Sequence, residues 1–130
     1  MPEMVKRVLI VDDVREYLEA LRRALAPRYE VLTARTVGEA KALLSESIDL
    51  ALVDVRLSEK DPSNREGIEF LSFMRESRPA LPVIVMSAYR DYDAVVEALN
   101  LGARAYVKKP VVLADLERLI ELHLTSRGNP

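Results

Sequence analysis

The sequence predicts an α/β protein built on a doubly wound, five-stranded parallel β-sheet with helices on both faces. Three observations carry that expectation. Short β-branched apolar runs alternate with stretches of helical periodicity along the chain, several of the runs are continuously apolar rather than alternating, and 130 residues suit one compact domain. A continuously apolar strand is one buried on both sides, as the central strands of a helix-covered parallel sheet are.

The first run is Val8-Leu9-Ile10-Val11, and Tyr17, Leu18, Leu21 and Leu25 follow at the i, i+1, i+4, i+8 spacing of a helix face that Pro27 closes. Residues Tyr29 to Ala34 read as the second strand. Val37, Ala40, Leu43 and Leu44 mark a second helix, with Thr36 as its N-cap and Glu39 in the capping-box place three residues on. Leu50 to Val55 is the third strand. The polar stretch from Ser58 to Glu66, interrupted by Pro62 and Asn64, is a loop whose composition predicts mobility, or else an extra turn shielding Asp54. Ile68, Phe70, Leu71 and Met74 give a third helix, Pro82 to Met86 the fourth strand, Ala94 to Leu101 the fourth helix, and Ala103 to Lys108 the fifth strand. Val112, Leu116, Leu119, Ile120 and Leu124 line one face of a fifth helix. Thr125 to Pro130 is polar and breaker-rich, so residues 126–130 read as a C-terminal tail or the start of a linker, with 4–125 as the domain.

Composition narrows the function classes. A net charge of -2 offers no bulk attraction for nucleic acid or an anionic membrane. The absence of cysteine excludes disulfides, thiol catalysis and cysteine-built zinc sites. The apolar runs are far shorter than the roughly 20 residues that span a bilayer, and residues 1–7 are too few and too polar for a signal peptide. A soluble, cytoplasmic domain is the expectation.

Right-handed crossovers make all strands of such a sheet point one way, so their carboxyl ends share an edge, where open α/β sheets bind ligands. At those ends stand Asp12 and Asp13 after the first strand, Asp54 at the third, Ser87 and Ala88 after the fourth, and Lys108, Lys109 and Pro110 after the fifth. Strand two ends in Thr33-Ala34-Arg35 with no acid, which suits a strand at the sheet's edge. Three carboxylates packed together repel, and an oxygen-seeking divalent cation such as Mg2+ (or Mn2+) relieves them. A carboxylate is also a nucleophile toward phosphorus, and phosphoryl transfer needs mainly positioning and charge neutralisation, which a metal, a lysine and a hydroxyl supply.

These residues in this order closely resemble response-regulator receiver domains: Val8 to Asp13 (VLIVDD), Asp54 after an apolar strand, Ser87-Ala88, and Gly102-Ala103 followed by Tyr106-Val107-Lys108-Lys109-Pro110. The resemblance covers about the whole chain. It implies the flavodoxin-like strand order 2-1-3-4-5, which the chemotaxis member of that family shares. It further implies that Asp54 is the phosphorylated aspartate, that Asp13 and Asp54 ligate Mg2+ directly, with Asp12 acting through water and the main-chain carbonyl of Arg56 as a further ligand, that Ser87 and Lys109 sense the phosphate, and that Tyr106 turns inward on activation. A cis Lys109–Pro110 bond goes with the same resemblance. The implied donor is a sensor histidine kinase or a phosphotransfer protein. The implied output is a changed helix 4/strand 5/helix 5 face that meets an effector or a second copy of the chain, with no direct binding of nucleic acid or membrane by this domain.

The chain departs from the family pattern in three places. Ser58 stands where a proline is common, and Gly67 lies thirteen residues beyond Asp54 where about eight is usual, which lengthens the loop. Val111 replaces a frequent phenylalanine after the Lys-Pro pair. Arg56 and Tyr89 occupy positions that tune phosphate lifetime, and both are bulky enough to hinder attacking water.

Blander roles compete with these. Asp12-Asp13 alone reads as a helix N-cap pair, Ser87 as a turn residue, and Tyr106 as a core-edge aromatic. At the level of function, the rivals are a degenerate receiver used only for protein contacts and an aspartate-nucleophile phosphatase. The intact acids, hydroxyl and lysine argue against the first. The missing second acid in Asp54-Val55-Arg56 argues against the second. Self-phosphotransfer, rather than enzymatic turnover of a separate substrate, is the expectation.

Overall fold

The computed structural model describes residues 5–58, 61, 63–88 and 91–128, with side chains through 124. Five strands, β1 (Arg7–Val11), β2 (Glu30–Ala34), β3 (Leu50–Asp54), β4 (Val83–Ser87) and β5 (Ala105–Lys108), alternate with α1 (Arg15–Leu25), α2 (Val37–Leu43), α3 (Glu66–Ser77), α4 (Tyr92–Asn100) and α5 (Leu113–Gly128). The strands form one parallel sheet in the order β2-β1-β3-β4-β5. This is the doubly wound, flavodoxin-like arrangement expected from the sequence.

The two-residue period of the strands divides the core into two layers. Leu9, Val11, Ala51, Val53 and Val85 face α2, α3 and α4, meeting Ala40, Leu44, Ile68, Phe70, Leu71, Met74 and Ala98. Val8, Ile10, Leu50, Leu52, Ile84 and Met86 face α1 and α5, meeting Leu18, Leu21, Leu25, Leu116 and Ile120. All of β3 and β4 is buried, whereas β2 at one edge and β5 at the other are partly exposed. The run-like strands are thus the central ones, for the reason that both their faces are covered.

Several boundaries differ from the sequence reading. Helix α4 begins two residues earlier, at Tyr92, with Asp91 and Asp93 favourably placed at its positive end. Gly102, at φ +105, ends that helix in a conformation other residues adopt only with strain, and β5 is shorter than expected, starting at Ala105. Val112 is not part of the buried face of α5: it precedes the helix and is 60% exposed. Helix α5 also runs on through residues 126–128, which the sequence suggested as tail or linker. Thr125, Ser126 and Arg127 do not break helices, and the helix continues to Gly128, the last described residue. Residues 129 and 130 lie outside the described residues.

Thr36 caps α2 as expected, its Oγ1 accepting the Glu39 N–H at 3.1 Å. The return bond differs from a standard capping box, because Glu39 Oε1 accepts from the Arg35 N–H at 2.9 Å, one residue ahead of the cap. Among the described residues, no helix is long and apolar enough to cross a membrane.

Candidate functional site

The carboxyl edge of the sheet assembles its groups through main-chain register. Asp12 follows β1, and its N–H donates to the Ala34 carbonyl at 3.0 Å. Asp54 is the last residue of β3 and pairs with Met86, one position before Ser87. Ser87 pairs with Lys108, and the Lys109 N–H donates to the Ser87 carbonyl at 2.8 Å. The Lys109–Pro110 peptide is cis.

Four side chains meet there. Lys109 Nζ lies 2.8 Å from Asp12 Oδ2 and 2.6 Å from Asp54 Oδ2, so one ammonium ties the ends of β1 and β3 to the end of β5. Ligand oxygens of Asp12, Asp13 and Asp54 all lie within 4.8 Å of one another. Asp12 is fully buried and Asp54 nearly so. Their remaining oxygens hold the backbone: Asp12 Oδ1 accepts the Val14 N–H at 2.9 Å, and Asp54 Oδ1 accepts the Arg56 N–H at 3.0 Å. Val14, the residue capping α1, makes no side-chain capping bond, so Asp12 serves the helix start as well as the acidic cluster.

Burial pushes the Asp54 carboxyl up to about 6, against the downward pull of the Lys109 ammonium and the Arg56 N–H, with Asp12 adding to the upward push. Burial by itself would lower the Lys109 ammonium, but Asp54 and Asp12 outweigh it and leave it raised. The Lys109 ammonium pairs with Asp12 and Asp54, and Asp13 adds a third carboxylate to the cluster, so one cation stands against three acids. The cluster's all-oxygen donor set, with one carboxyl raised by burial, fits a hard divalent cation.

The other expected residues sit nearby in different ways. The Ser87 hydroxyl is buried and donates to the Ala88 carbonyl at 3.0 Å. Arg56 reaches away from Asp54, its Nη1 lying 3.5 Å from Asp91 Oδ1 at the start of α4. Tyr106 is 48% exposed and borders a cleft of about 140 Å³ lined by Ser87, Ala88, Asp91, Tyr92, Val95 and Lys108. Tyr89 lies outside the described residues, as do Glu59, Lys60 and Pro62 of the long loop.

The described part of that loop is tied down. Asn64 Oδ1 accepts the Leu57 N–H at 2.9 Å and the Glu66 N–H at 3.1 Å, and the Asn64 side-chain amide donates to Glu66 Oε1 at 2.8 Å. Leu57 is buried in the core. The chain therefore leaves β3, turns, and is pinned back before α3 begins. Gly67 shows why α3 lies where it does: a Cβ there would stand 2.0 Å from the Asp54 carbonyl oxygen and 2.6 Å from that of Val55. Despite the longer loop, the glycine packs on the backbone of the acceptor strand.

Three contributors were not singled out by the sequence. Asn64 pins the loop, Arg35 donates to the Asp13 carbonyl at 3.2 Å through Nη2, and Tyr17 places its ring 4.4 Å from Lys109 Nζ. Only Tyr17 had a readable signal, since it stands in the first turn of the helix that follows the Asp12-Asp13 pair.

Comparison with known proteins agrees with this geometry. Residues 8–121 match the model of the response regulator receiver domain. The chain is similar to the response regulator protein PilR of Pseudomonas aeruginosa, 34% identical over 125 residues that make up 95% of this chain and 27% of that protein. It is likewise similar to the DNA-binding transcriptional regulator NtrC of Proteus hauseri, 36% identical over 91% of this chain and 24% of that protein. The chain thus spans about a quarter of the length of these relatives. Among solved structures, a CheY-like response regulator receiver domain protein from Methanospirillum hungatei superposes with a TM-score of 0.85 at 35% identity, covering 95% of this chain and 97% of the other.

Proposed function

Since the chain belongs to the response regulator receiver family, we propose that it is a phosphorylation-operated switch whose phosphate acceptor is Asp54. The observation that carries this reading is the Lys109 bridge to Asp12 and Asp54, which gathers the ends of three strands around one nearly buried carboxylate.

The donor is a phosphohistidine on a sensor histidine kinase or a phosphotransfer protein. An Asp54 carboxylate oxygen attacks phosphorus, the P–N bond breaks, and its electron pair leaves with the imidazole nitrogen. The protein's part is positioning and neutralisation. The Arg56 N–H holds one Asp54 oxygen, leaving Oδ2, now on Lys109, as the oxygen the ammonium can release to a phosphoryl group. Asp13, Asp54 and the Arg56 carbonyl would hold Mg2+ (or Mn2+) directly and Asp12 through water, and the ion would supply charge neutralisation for the phosphoryl oxygens.

Once attached, the phosphoryl group adds about -1.5 to -2 charges. Ser87 Oγ exchanges the Ala88 carbonyl for a phosphoryl oxygen, and Tyr106 turns into the adjacent cleft. The face so altered is α4, β5 and α5, which exposes Tyr92, Val96, Leu99, Tyr106 and Leu122. It would meet an effector, an output segment or a second copy of the chain. Transcriptional output, as in the relatives' names, belongs to such a segment, with no direct contact of this domain to nucleic acid or membrane. The donor places the domain in the cytoplasm. The chain acts on itself, by phosphotransfer and self-dephosphorylation at Asp54, and not as an enzyme toward separate substrates.

Incubation with acetyl phosphate and Mg2+, read by intact mass, tests the assignment. The wild type gains one phosphoryl group, while Asp54→Asn and a chelated sample gain none. Equal incorporation in Asp54→Asn would falsify the acceptor assignment, equal incorporation in the chelated sample would remove the metal requirement, and no incorporation in the wild type would favour a receiver used only for contacts.

A further inference from the structure

We propose that Tyr17 is a positioning residue for Lys109, its ring holding the ammonium over the site while Asp54 exchanges its charge for a phosphoryl group. The proposal rests on the reading of Asp54 as acceptor given above.

Tyr17 lies in the first turns of α1, four residues after Asp13. Side chains on a helix lean toward its N-terminus, and the N-terminus of α1 abuts the acidic cluster. The ring therefore stands beside the site and also packs against the core layer shared with α5. Lys109 Nζ lies 4.4 Å from the ring centroid, well inside the range of cation–π attraction. The ammonium has three N–H bonds. Asp12 and Asp54 take up two directions, and the ring closes a third side.

The Lys109 side chain is 17% exposed, so little water competes for the ammonium. Cation–π attraction is larger where the partners are desolvated. A lysine stem is long and flexible, and its hold on Asp54 Oδ2 must be released when that oxygen side receives phosphorus. The ring contact does not depend on Asp54 and persists through the exchange. It keeps the ammonium near the incoming phosphoryl oxygens when one of its two carboxylate partners changes identity.

The phenol hydroxyl is enclosed near the Val111 backbone and makes no hydrogen bond of normal geometry among the described residues. The contribution therefore comes from the ring, and phenylalanine should reproduce it. Tyr17→Phe is the conservative variant, and Tyr17→Leu removes the π face. Tyr17→Met removes it too while keeping a flexible apolar side chain in the layer, should leucine unsettle the fold.

The first measurement needs neither metal nor phosphate. In the free protein, the ε-methylene protons of Lys109 resonate upfield through the ring current in wild type and Tyr17→Phe, and return toward ordinary lysine values in Tyr17→Leu and Tyr17→Met. The second is the rate of phosphoryl uptake from acetyl phosphate with Mg2+. The Leu and Met variants are expected to be slower by about three- to tenfold, the size of a cation–π contact, with Tyr17→Phe near wild type. Wild-type uptake in both ringless variants, or an equal loss in Tyr17→Phe, overturns the proposal. An Asp54→Asn arm separates the two readings. Phosphate uptake by that variant defeats the acceptor assignment, whereas a silent Asp54→Asn with unaffected Tyr17 variants defeats only the role of Tyr17.

Discussion

Replacing Gly67 by alanine probes the contact that seats α3 on the acceptor strand. The new Cβ would fall 2.0 Å from the Asp54 carbonyl oxygen, 2.6 Å from the Val55 oxygen and 2.7 Å from the Val55 carbonyl carbon. Real Cβ atoms essentially never come within 3.0 Å of such neighbours, so a separation of at least about 1 Å must open. All three atoms belong to the backbone, and no rotamer change relieves them. Strand β3 is laddered to β1 on one side and β4 on the other, so the first turn of α3 must yield. Ile68, Phe70 and Leu71 follow directly and would lose close packing against the sheet. Overpacking of this kind costs about 1–3 kcal/mol, and the better helix propensity of alanine returns up to about 1 kcal/mol. A net loss of about 1–2 kcal/mol is expected, read as a lower urea midpoint. Gly38→Ala is the internal control: it lies in α2 with its nearest neighbour, Thr36 Oγ1, at 3.9 Å, so it should be neutral or stabilising by up to about 1 kcal/mol. Equal midpoints for Gly67→Ala and wild type would refute the account of how α3 is seated.

Other parts of the molecule are open to the same kind of test. Thr36→Ala removes the acceptor for the Glu39 N–H and should cost about 1 kcal/mol in denaturant unfolding, and a Thr36→Ser variant should recover most of it. Asp54, raised to about 6 by burial, binds its proton more tightly folded than unfolded, so its contribution to stability falls as pH climbs from about 4 through 6. In metal-free buffer, Asp54→Asn should therefore gain on wild type by roughly 2–3 kcal/mol between about pH 4 and pH 7; parallel pH profiles for the two proteins would contradict the raised value. Tyr106 should exchange its half-exposed position for the neighbouring cleft on phosphorylation, seen as a changed fluorine resonance from labelled tyrosine at that position. An unchanged signal in fully phosphorylated protein would remove Tyr106 from the switch.

Much of this protein was determined by sequence alone. The apolar runs at Val8–Val11, Leu50–Val53 and Val83–Met86 declared strands buried on both sides, and the core layers used them so. Local chemistry was equally legible: Thr36 as a cap follows from how a single side chain satisfies the backbone at a helix start. So were the strand-end residues Asp12, Asp13, Asp54, Ser87 and Lys109, because parallel strands share a carboxyl edge.

The tertiary structure decided what depends on neighbours distant in the chain. Alternation of strands and helices leaves the strand order open, and the order 2-1-3-4-5 came from resemblance before the ladders established it. The reach of Lys109 to both Asp12 and Asp54 crosses from β5 to β1 and β3, and no local pattern encodes a distance of 2.6 or 2.8 Å. Tyr17 read as one more apolar residue of α1 until Lys109 appeared over its ring. The long loop read as simply polar, yet Asn64 pins it and Gly67 presses α3 onto β3. Val112 read as core from its spacing, but the helix begins one residue later and leaves it in solvent. Periodicity records which face of an element is apolar. Which side chains of different elements then touch is set by packing the whole domain, where a contact forms only if several separately positioned backbones converge.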